Sequence, residues 1–313
     1  MWAYVIRRTL AVIPVMAVVA VVVFLLLHLS PGDPAAIIAG DNASSADIEA
    51  VRRKLGLDEP LAAQFFGWVG RLLVGDFGTS IFFNRPVLQL IGERVEPTVA
   101  LALTTTVFAV AVAIPMGVVA AWKAGTWIDQ LIMALAVLAF SFPVFLVGYG
   151  LVYGLALEWE LLPVQGFVSF GEDVGRALRH LVLPTIALGL VYTALLARMT
   201  RATMLEILNE DYIRTARAKG LGNSRVLIIH ALKNASVPIV TTIGVGIALL
   251  IGGVVVTESV FAIPGVGRLT IDAVLQRDYP VIQGVILAVS GVYVVINLLI
   301  DLTYTVLDPR IRY

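Results

Sequence analysis

The chain has 313 residues, 59% of them hydrophobic and only 14% charged, with a mean hydropathy of +0.93. Soluble domains are typically about 25% charged and 45–50% apolar, so a soluble globular protein is excluded and a polytopic membrane protein is read. The 22 basic and 22 acidic residues cancel, leaving only their distribution to inform on partners. The absence of cysteine excludes disulfides, a thiolate nucleophile and Cys-based metal sites.

Thr9 to Leu29 is apolar apart from Pro14 and His28, long enough at ~1.5 Å per residue to cross a hydrocarbon core of about 30 Å. It ends in Ser30-Pro31-Gly32-Asp33-Pro34 instead of a small-x-small cleavage site, so it reads as a retained first span. Arg7 and Arg8 read as a positive-inside anchor in preference to a twin-arginine signal.

Residues 30–97 are too polar to span. Two helices are expected there. One runs from Ala43 to Leu55, capped by Ser44 or Ser45, with Ile48, Val51 and Leu55 on one face. The other, Leu61 to Val74, carries Phe65, Trp68, Val69 and Leu72. Its aromatic residues sit either at the membrane interface or inside a small external subdomain. Gly75-Asp76-Phe77-Gly78 then breaks the chain.

Apolar runs follow at 98–122, 129–157, 181–203, 239–261 and 281–307, giving six spans and an all-α fold. With the N-terminus inside, the short inner segments hold Arg7, Arg8, Lys123, Arg198, Arg201, Arg214, Arg217, Lys219, Arg225, Lys233, Arg310 and Arg312. The short outer segments hold only Arg176, Arg179, Arg268 and Arg277. Twelve against four puts both termini in the cytoplasm. The organisation expected is a cytoplasmic end and first span (1–29), a periplasmic helical insertion (30–97), a five-helix core (98–307) with a cytoplasmic loop at 204–238, and a cytoplasmic tail (308–313). Gly150 with Gly154, and Ala109, Ala113 and Gly117, repeat at a spacing of four that lets helices approach closely. Packing within the chain is preferred over subunit contact.

Asp211 to Pro238 is the one long basic segment between two strongly apolar runs, with Arg214, Arg217, Lys219, Arg225 and Lys233 against Asp211. Two short helices are expected: from Asp211 as N-cap to Gly220 at C′, where φ > 0 is tolerated, and from Arg225 to about Asn234, capped by Asn223 or Ser224. Ala216, Ala218 and Gly220 leave little bulk, so another protein's surface can approach the backbone. The alternative is a positive loop resting on a membrane surface.

The chemistry of catalysis is missing. There is no G-x-x-x-x-G-K-[ST] to bind ATP, and Gly265-Val266-Gly267-Arg268 lacks the lysine. There is no H-E-x-x-H and no G-x-S-x-G. His28, His180 and His230 lack metal-ligand spacing, so neither a catalytic nor a metal-binding residue is assigned. Ionisable groups in the spans sit at helix ends. Arg198 and Arg201 are expected to snorkel. Asp301, one turn from Asn297, bonds a neighbouring helix or fixes the end of the last span. Glu258 closes another. A proton-coupled carrier needs acids or histidines at mid-depth, and their scarcity argues against one.

A resemblance runs end to end. Pro31-Gly32-Asp33-Pro34, Leu55-Gly56-Leu57-Asp58-Glu59-Pro60, Gly75-Asp76-Phe77-Gly78-Thr79-Ser80 and Arg85-Pro86-Val87 are followed by Asp211 to Leu221 and His230-Ala231-Leu232-Lys233-Asn234-Ala235. Later come Phe261-Ala262-Ile263-Pro264-Gly265-Val266-Gly267, Arg277-Asp278-Tyr279-Pro280 and Asp308-Pro309-Arg310-Ile311-Arg312-Tyr313. In this order they resemble the permease subunits of bacterial ABC importers for dipeptides and oligopeptides, a group with glutathione and nickel members. The resemblance implies a type I (MetI-like) permease fold with six transmembrane helices in the bacterial inner membrane.

It further implies that Asp211, Tyr212, Arg214, Thr215, Ala216, Arg217, Ala218, Lys219, Gly220 and Leu221 form the coupling helix of an EAA loop, docked on an ATPase subunit. Aligned on Gly220, the E-A-A of that pattern falls on Arg214-Thr215-Ala216, and Lys233 stands where its later proline would be. Conformational work is expected to pass through the second short helix and Pro238. Implied partners are a homologous second permease, two ABC ATPase subunits that bind ATP and Mg, a periplasmic or lipoprotein substrate-binding protein, and membrane lipid, with no nucleic acid. No cofactor is expected in this chain. Glu258, Phe261, Pro264, Gly265 and Gly267 are expected to reach the binding protein, a plain tight turn being the competing reading. Ser141, Pro143, Thr241, Thr242 and Gly244 are candidates for lining the pathway, against a structural role in which Pro143 is a packed kink. The function implied is ATP-driven import of peptide-like solutes by alternating access. The alternatives are an ATP-independent channel or secondary carrier, or an importer of glutathione, an opine or a nickel chelate.

Overall fold

The computed structural model describes residues 2–29, 33, 35–36, 44–54 and 56–307. The motif at residues 30–32, the Leu55 position, the Asp301 side chain and the 308–313 tail lie outside the described residues. Among those described the chain is helical, with a single isolated bridge, Thr79 to Pro86. The helices are α1 (Trp2–Leu29), α2 (Ser45–Lys54), α3 (Leu61–Leu73), α4 (Val87–Trp122), α5 (Trp127–Ser141) and α6 (Val144–Glu158), then α7 (Val174–Leu208), α8 (Asp211–Ala218), α9 (Asn223–Val260), α10 (Val266–Leu275) and α11 (Tyr279–Leu307). Five of these are long and apolar enough to cross a membrane, and the bent pair of α5 and α6 makes a sixth if the two together are one span.

Proline does not decide where helices break. Pro14, Pro97, Pro115, Pro184 and Pro238 all lie inside continuous helices. Among the prolines within the apolar runs, Pro143 is the one whose preceding residue leaves the helical region: Phe142 is extended at φ −94°, ψ 130°, the conformation that a following proline favours. The apolar run 129–157 is therefore two helices meeting at 100°. The second half of α6, from Val152, and the Val226–Leu232 turn of α9 are π-helical.

Two compact units divide the chain. The first is Met1–Val95 with Leu269–Leu298. In it Phe24 of α1 packs edge-on against Phe65 of α3, ring centroids 5.3 Å apart, and lies 5.8 Å from Trp68. Gln283 of α11 donates to the Val23 carbonyl at 3.2 Å. A fully buried carboxylate, Asp278, fixes the turn before α4: it accepts from the Ser80 hydroxyl at 2.5 Å and from the backbone N–H of Ile81 and Phe82, each at 3.2 Å.

The second unit is Glu96–Arg268 with Leu299–Tyr313. Helix α7 is its hub, with buried positions recurring from Ala177 to Met204. Small residues set the spacing, as they do where lipid supplies no hydrophobic drive between helices. A Cβ on Gly246 of α9 would fall 1.9 Å from the Tyr192 ring, and one on Gly117 of α4 would fall 2.6 Å from Thr200. The Tyr192 hydroxyl donates to the Ile243 carbonyl at 2.7 Å, satisfying a buried polar group that would otherwise be costly. Ala109 and Ala113 are buried in the same seam as Gly117.

Four expectations are corrected. The segment 225–234 is the opening of α9, 38 residues without a break, because the residues from Asn223 on keep helical backbone through Pro238. The helix of the second span begins at Val87, ahead of residue 98. Gly150 and Gly154 have no atom within 4 Å of an added Cβ, so no helix among the described residues packs on them. Arg201 does not snorkel: it holds the buried Asp129 through Nε to Oδ1 at 2.6 Å and Nη2 to Oδ2 at 2.7 Å. Asn297 donates to the Tyr293 carbonyl of its own helix.

Candidate functional site

Helix α8 is short, basic and outward-facing. Only Ile213 and Ala216 of its eight residues are buried, three apart and so on one face; they pin it to the unit. The Asn234 amide donates to the Tyr212 hydroxyl at 3.1 Å, tying α8 to the opening of α9. Glu210, not Asp211, is the residue before the helix. Asp211 lies in the first turn, where its charge suits the helix dipole, 3.2 Å from Arg214. Gly222 takes the equivalent place before α9, not Asn223 or Ser224.

The far end of α8 is closed by backbone bonds. Gly220 N–H donates to the Arg217 carbonyl at 2.9 Å and Leu221 N–H to the Ala216 carbonyl at 3.3 Å, with Gly220 at φ +80°. This pair of bonds around a left-handed residue is a Schellman termination, and it gives Gly220 its place. Tyr212, Arg214, Thr215, Arg217, Ala218, Lys219 and Gly220 are exposed, Leu221 is half-buried, and Ala216 is turned inward. Among the described residues the Arg217, Lys219 and Arg225 side chains make no ion pair.

The Glu258–Arg268 loop is constructed the opposite way. Glu258 is fully buried. Its Oε1 accepts from the Thr98 hydroxyl at 2.6 Å and its Oε2 from the Arg268 N–H at 2.9 Å. The Thr98 oxygen in turn accepts from the Val266 N–H at 2.8 Å. A Cβ on Gly265 would lie 2.0 Å from Oε1 of Glu258, and one on Gly267 would lie 2.7 Å from the Val255 backbone. Both glycines are there because the loop closes tightly over the carboxylate. Glu258, Phe261, Gly265 and Gly267 are thus buried scaffold and cannot touch a partner directly in this conformation; Pro264 alone of the five is exposed.

The pathway candidates scatter. Ser141 and Pro143 are exposed at the broken span, Thr241 is half-buried, and Thr242 and Gly244 are buried. The hydroxyls of Ser141, Thr241 and Thr242 all bond carbonyls one turn back in their own helices. A Cβ on Gly244 would meet Ile300 at 2.2 Å, so Gly244 is a close-approach point between α9 and α11.

Sequence reasoning missed the Asp129–Arg201 pair and the Thr98–Glu258 and Ser80–Asp278 bonds. Each joins residues far apart in the chain. The one local signal was an acid, Asp278, in a spot otherwise made of turn residues. Among the described residues no group of three or more His, Cys, Asp or Glu is placed to hold a metal ion. The polar chemistry on view positions backbone and offers charge.

The chain is similar to known transport proteins along its length. The family described as binding-protein-dependent transport system inner membrane component matches residues 113–313, and its N-terminal counterpart matches residues 1–102. A probable peptide ABC transporter permease of Sinorhizobium fredii is 50% identical over 313 residues, 100% of both chains. The glutathione transport system permease protein GsiC of Escherichia coli is 44% identical over 310 residues, 99% of each chain. An inward-facing structure of the MetNI methionine ABC transporter superposes with a TM-score of 0.59 at 17% identity, covering 71% of this chain and 97% of that one; at that identity the likeness carries the MetI-like fold alone. The chain belongs to the family of inner-membrane components of binding-protein-dependent transport systems, the multi-pass permeases of ABC importers.

Proposed function

We propose that this chain is one of two membrane-spanning halves of an ATP-driven importer, passing short peptides and peptide-like solutes handed to it by an external binding protein. The relatives named for peptide and for glutathione, itself a tripeptide, support that solute class. The observation that carries the mechanism is α8: a helix pinned by Ile213 and Ala216, closed rigidly at Gly220, and open with unspent positive charge on the rest of its surface. Such a helix seats in a groove of an ATPase subunit and moves with it as a rigid body.

Motion then enters α9, into which α8 is tied by Asn234 and Tyr212. At ~1.5 Å per residue its 38 residues span ~57 Å, so a displacement at its start reaches the Glu258 loop without a hinge at Pro238. Inward- and outward-facing packings that differ by a few kcal/mol make this alternating access. The pathway lies between this chain and a homologous second permease. Two ATPase subunits bind ATP and Mg; this chain holds no cofactor and catalyses nothing. Both termini and α8 face the cytoplasm. The carboxylates Asp129 and Glu258 are committed to Arg201 and to Thr98, which disfavours a proton-coupled carrier.

The test is reconstitution of the chain with its second permease, ATPases and binding protein. Arg217→Glu with Lys219→Glu should leave the chain folded but weaken its docking to the ATPases and, at ATPase concentrations that restore the full assembly, keep ATP hydrolysis while lowering solute uptake at least about tenfold, equivalent to ~1.4 kcal/mol of lost coupling. Uptake at the wild-type rate would overturn the docking role of α8. Uptake by the chain alone, without ATP, would overturn the importer reading.

A further inference from the structure

The helix α3 has two apolar faces, and among the described residues only one of them is covered. At ~100° per residue, Phe65, Trp68 and Leu72 share a face, and Ala62, Phe66, Val69 and Leu73 share the adjacent one, with Gln64 and Arg71 on the opposite side. The first face is half-buried and packs on α1: Phe24 meets Phe65 edge-on and Trp68 at a tilt. The second is open, with Phe66 71% exposed and Leu73 83% exposed.

The position of Phe24 decides what covers the open face. It lies inside the apolar window Arg8–Leu26 by which α1 qualifies as a membrane span. A helix resting on Phe24 is therefore at the edge of the hydrocarbon, not out in water. The open half of its apolar surface continues from the half packed on α1, whose Val21, Val22, Leu25 and Leu26 are themselves substantially exposed. Both helices thus leave apolar side chains uncovered beside their shared contact at Phe24. On the other side, the Gln64 amide is taken up by the Leu57 and Glu59 carbonyls at 3.2 and 2.8 Å. Arg71 is exposed, so the polar side of the helix has its own solvent-facing place. This is the pattern of a helix lying in the plane of a bilayer interface.

We infer that α3 is an interfacial helix, embedded along Ala62, Phe66, Val69 and Leu73 in the acyl–headgroup boundary beside the first span, and not part of a water-exposed insertion. The leaflet is the outer one on the topology proposed above; contact with lipid does not depend on that topology. The helix anchors the segment between the first two spans to the membrane plane.

The chain lacks cysteine, so with cysteine-free versions of the other subunits single spin labels report without background. The assembled transporter in phosphatidylethanolamine–phosphatidylglycerol nanodiscs, carrying Phe66→Cys, Leu73→Cys or Ala62→Cys, should give oxygen accessibility several-fold above nickel-chelate accessibility. That ratio should lie between that of Val18→Cys, near the middle of the apolar window of α1, and that of Arg71→Cys, which should favour the nickel chelate. Nickel access at 66 and 73 would overturn the inference by showing water there. Protection of both positions from both reagents would overturn it by showing a protein subunit on that face.

Discussion

The two ends of α9 carry loops made on opposite principles. Past its C-terminus, Glu258 spends all its charge inside the chain, on Thr98 and the Arg268 backbone, and the loop is folded onto that carboxylate. Ahead of its N-terminus, α8 spends almost none: Arg217 and Lys219 point away from the chain and only Ile213 and Ala216 face in. Even the helix terminations differ. Both close with paired backbone bonds, but the left-handed residue is Gly220 at φ +80° in one and Ala262 at φ +50° in the other. A surface whose polar groups are satisfied internally keeps its shape without a partner. One whose charges are unspent is shaped for something else to complete.

The largest effect belongs to the satisfied end. Glu258→Ala leaves the Thr98 hydroxyl and the Arg268 N–H without their acceptor, and buried groups so stranded cost about 1–3 kcal/mol each. Melting in detergent should fall accordingly. Gly265→Ala should be comparably damaging, because its Cβ would sit 2.0 Å from the carboxylate. The two should not add: without the carboxylate the clash disappears, and a coupling of about 1–3 kcal/mol is expected in the double-mutant cycle. Simple additivity would mean that the carboxylate is not what the loop closes over.

A second test sits at the α8 end, where one charge pair has been spent. Asp129 is buried at 4% exposure and receives both Arg201 nitrogens and the Gly125 N–H. Removing one partner of a fully buried pair costs about 3–5 kcal/mol. The Arg201 side chain is 28% exposed and can rehydrate, so Asp129→Ala should lie below that range, at about 2 kcal/mol. Arg201→Ala, which strands the more buried partner, should be the worse of the two, and Asp129→Ala with Arg201→Ala milder than their sum.

The terminations give a smaller, signed pair. Gly220→Ala meets no atom within 4 Å, so only its backbone angle opposes it, at about 1 kcal/mol. Ala262→Gly should move the other way, gaining up to about 1 kcal/mol by relieving the left-handed alanine. Equal signs in the two melting curves would mean that the left-handed residue does not set the stability of either termination.

What could be read from sequence follows the same divide. Helices, their number and the place of Gly220 were legible, because apolar run length and a glycine after basic residues are local signals. The partners of Glu258, Asp129 and Asp278 were not, since each acts on a residue or backbone tens to hundreds of positions away. Glu258 was noticed as an ionisable helix-end residue, yet nothing near it in the chain names Thr98, so an acid that organises a loop read as one that reaches out of it. The break at Pro143 had a local cause, but five other prolines with the same chemistry stay inside helices. What distinguishes Pro143 is the extended backbone of Phe142 before it, a state that no residue type nearby announces. The opening of α9 was read as a separate helix because its polar composition changes where its backbone does not.

The smallest expected change in stability is the sharpest test of the comparison. Arg217 and Lys219 touch no partner within the described chain, and surface substitutions away from such contacts are usually within about 0.5 kcal/mol. Arg217→Ala with Lys219→Ala should therefore melt like the parent chain in isolation. In the presence of the ATPase subunits the two should separate. Exposed charges are screened beyond about 8 Å at physiological ionic strength, so the parent's affinity for the ATPases should fall as salt is raised, and the variant's should start lower and fall less. A melting point that drops while the salt dependence stays that of the parent would mean the cations stabilise the loop itself. The two ends of α9 would then be alike.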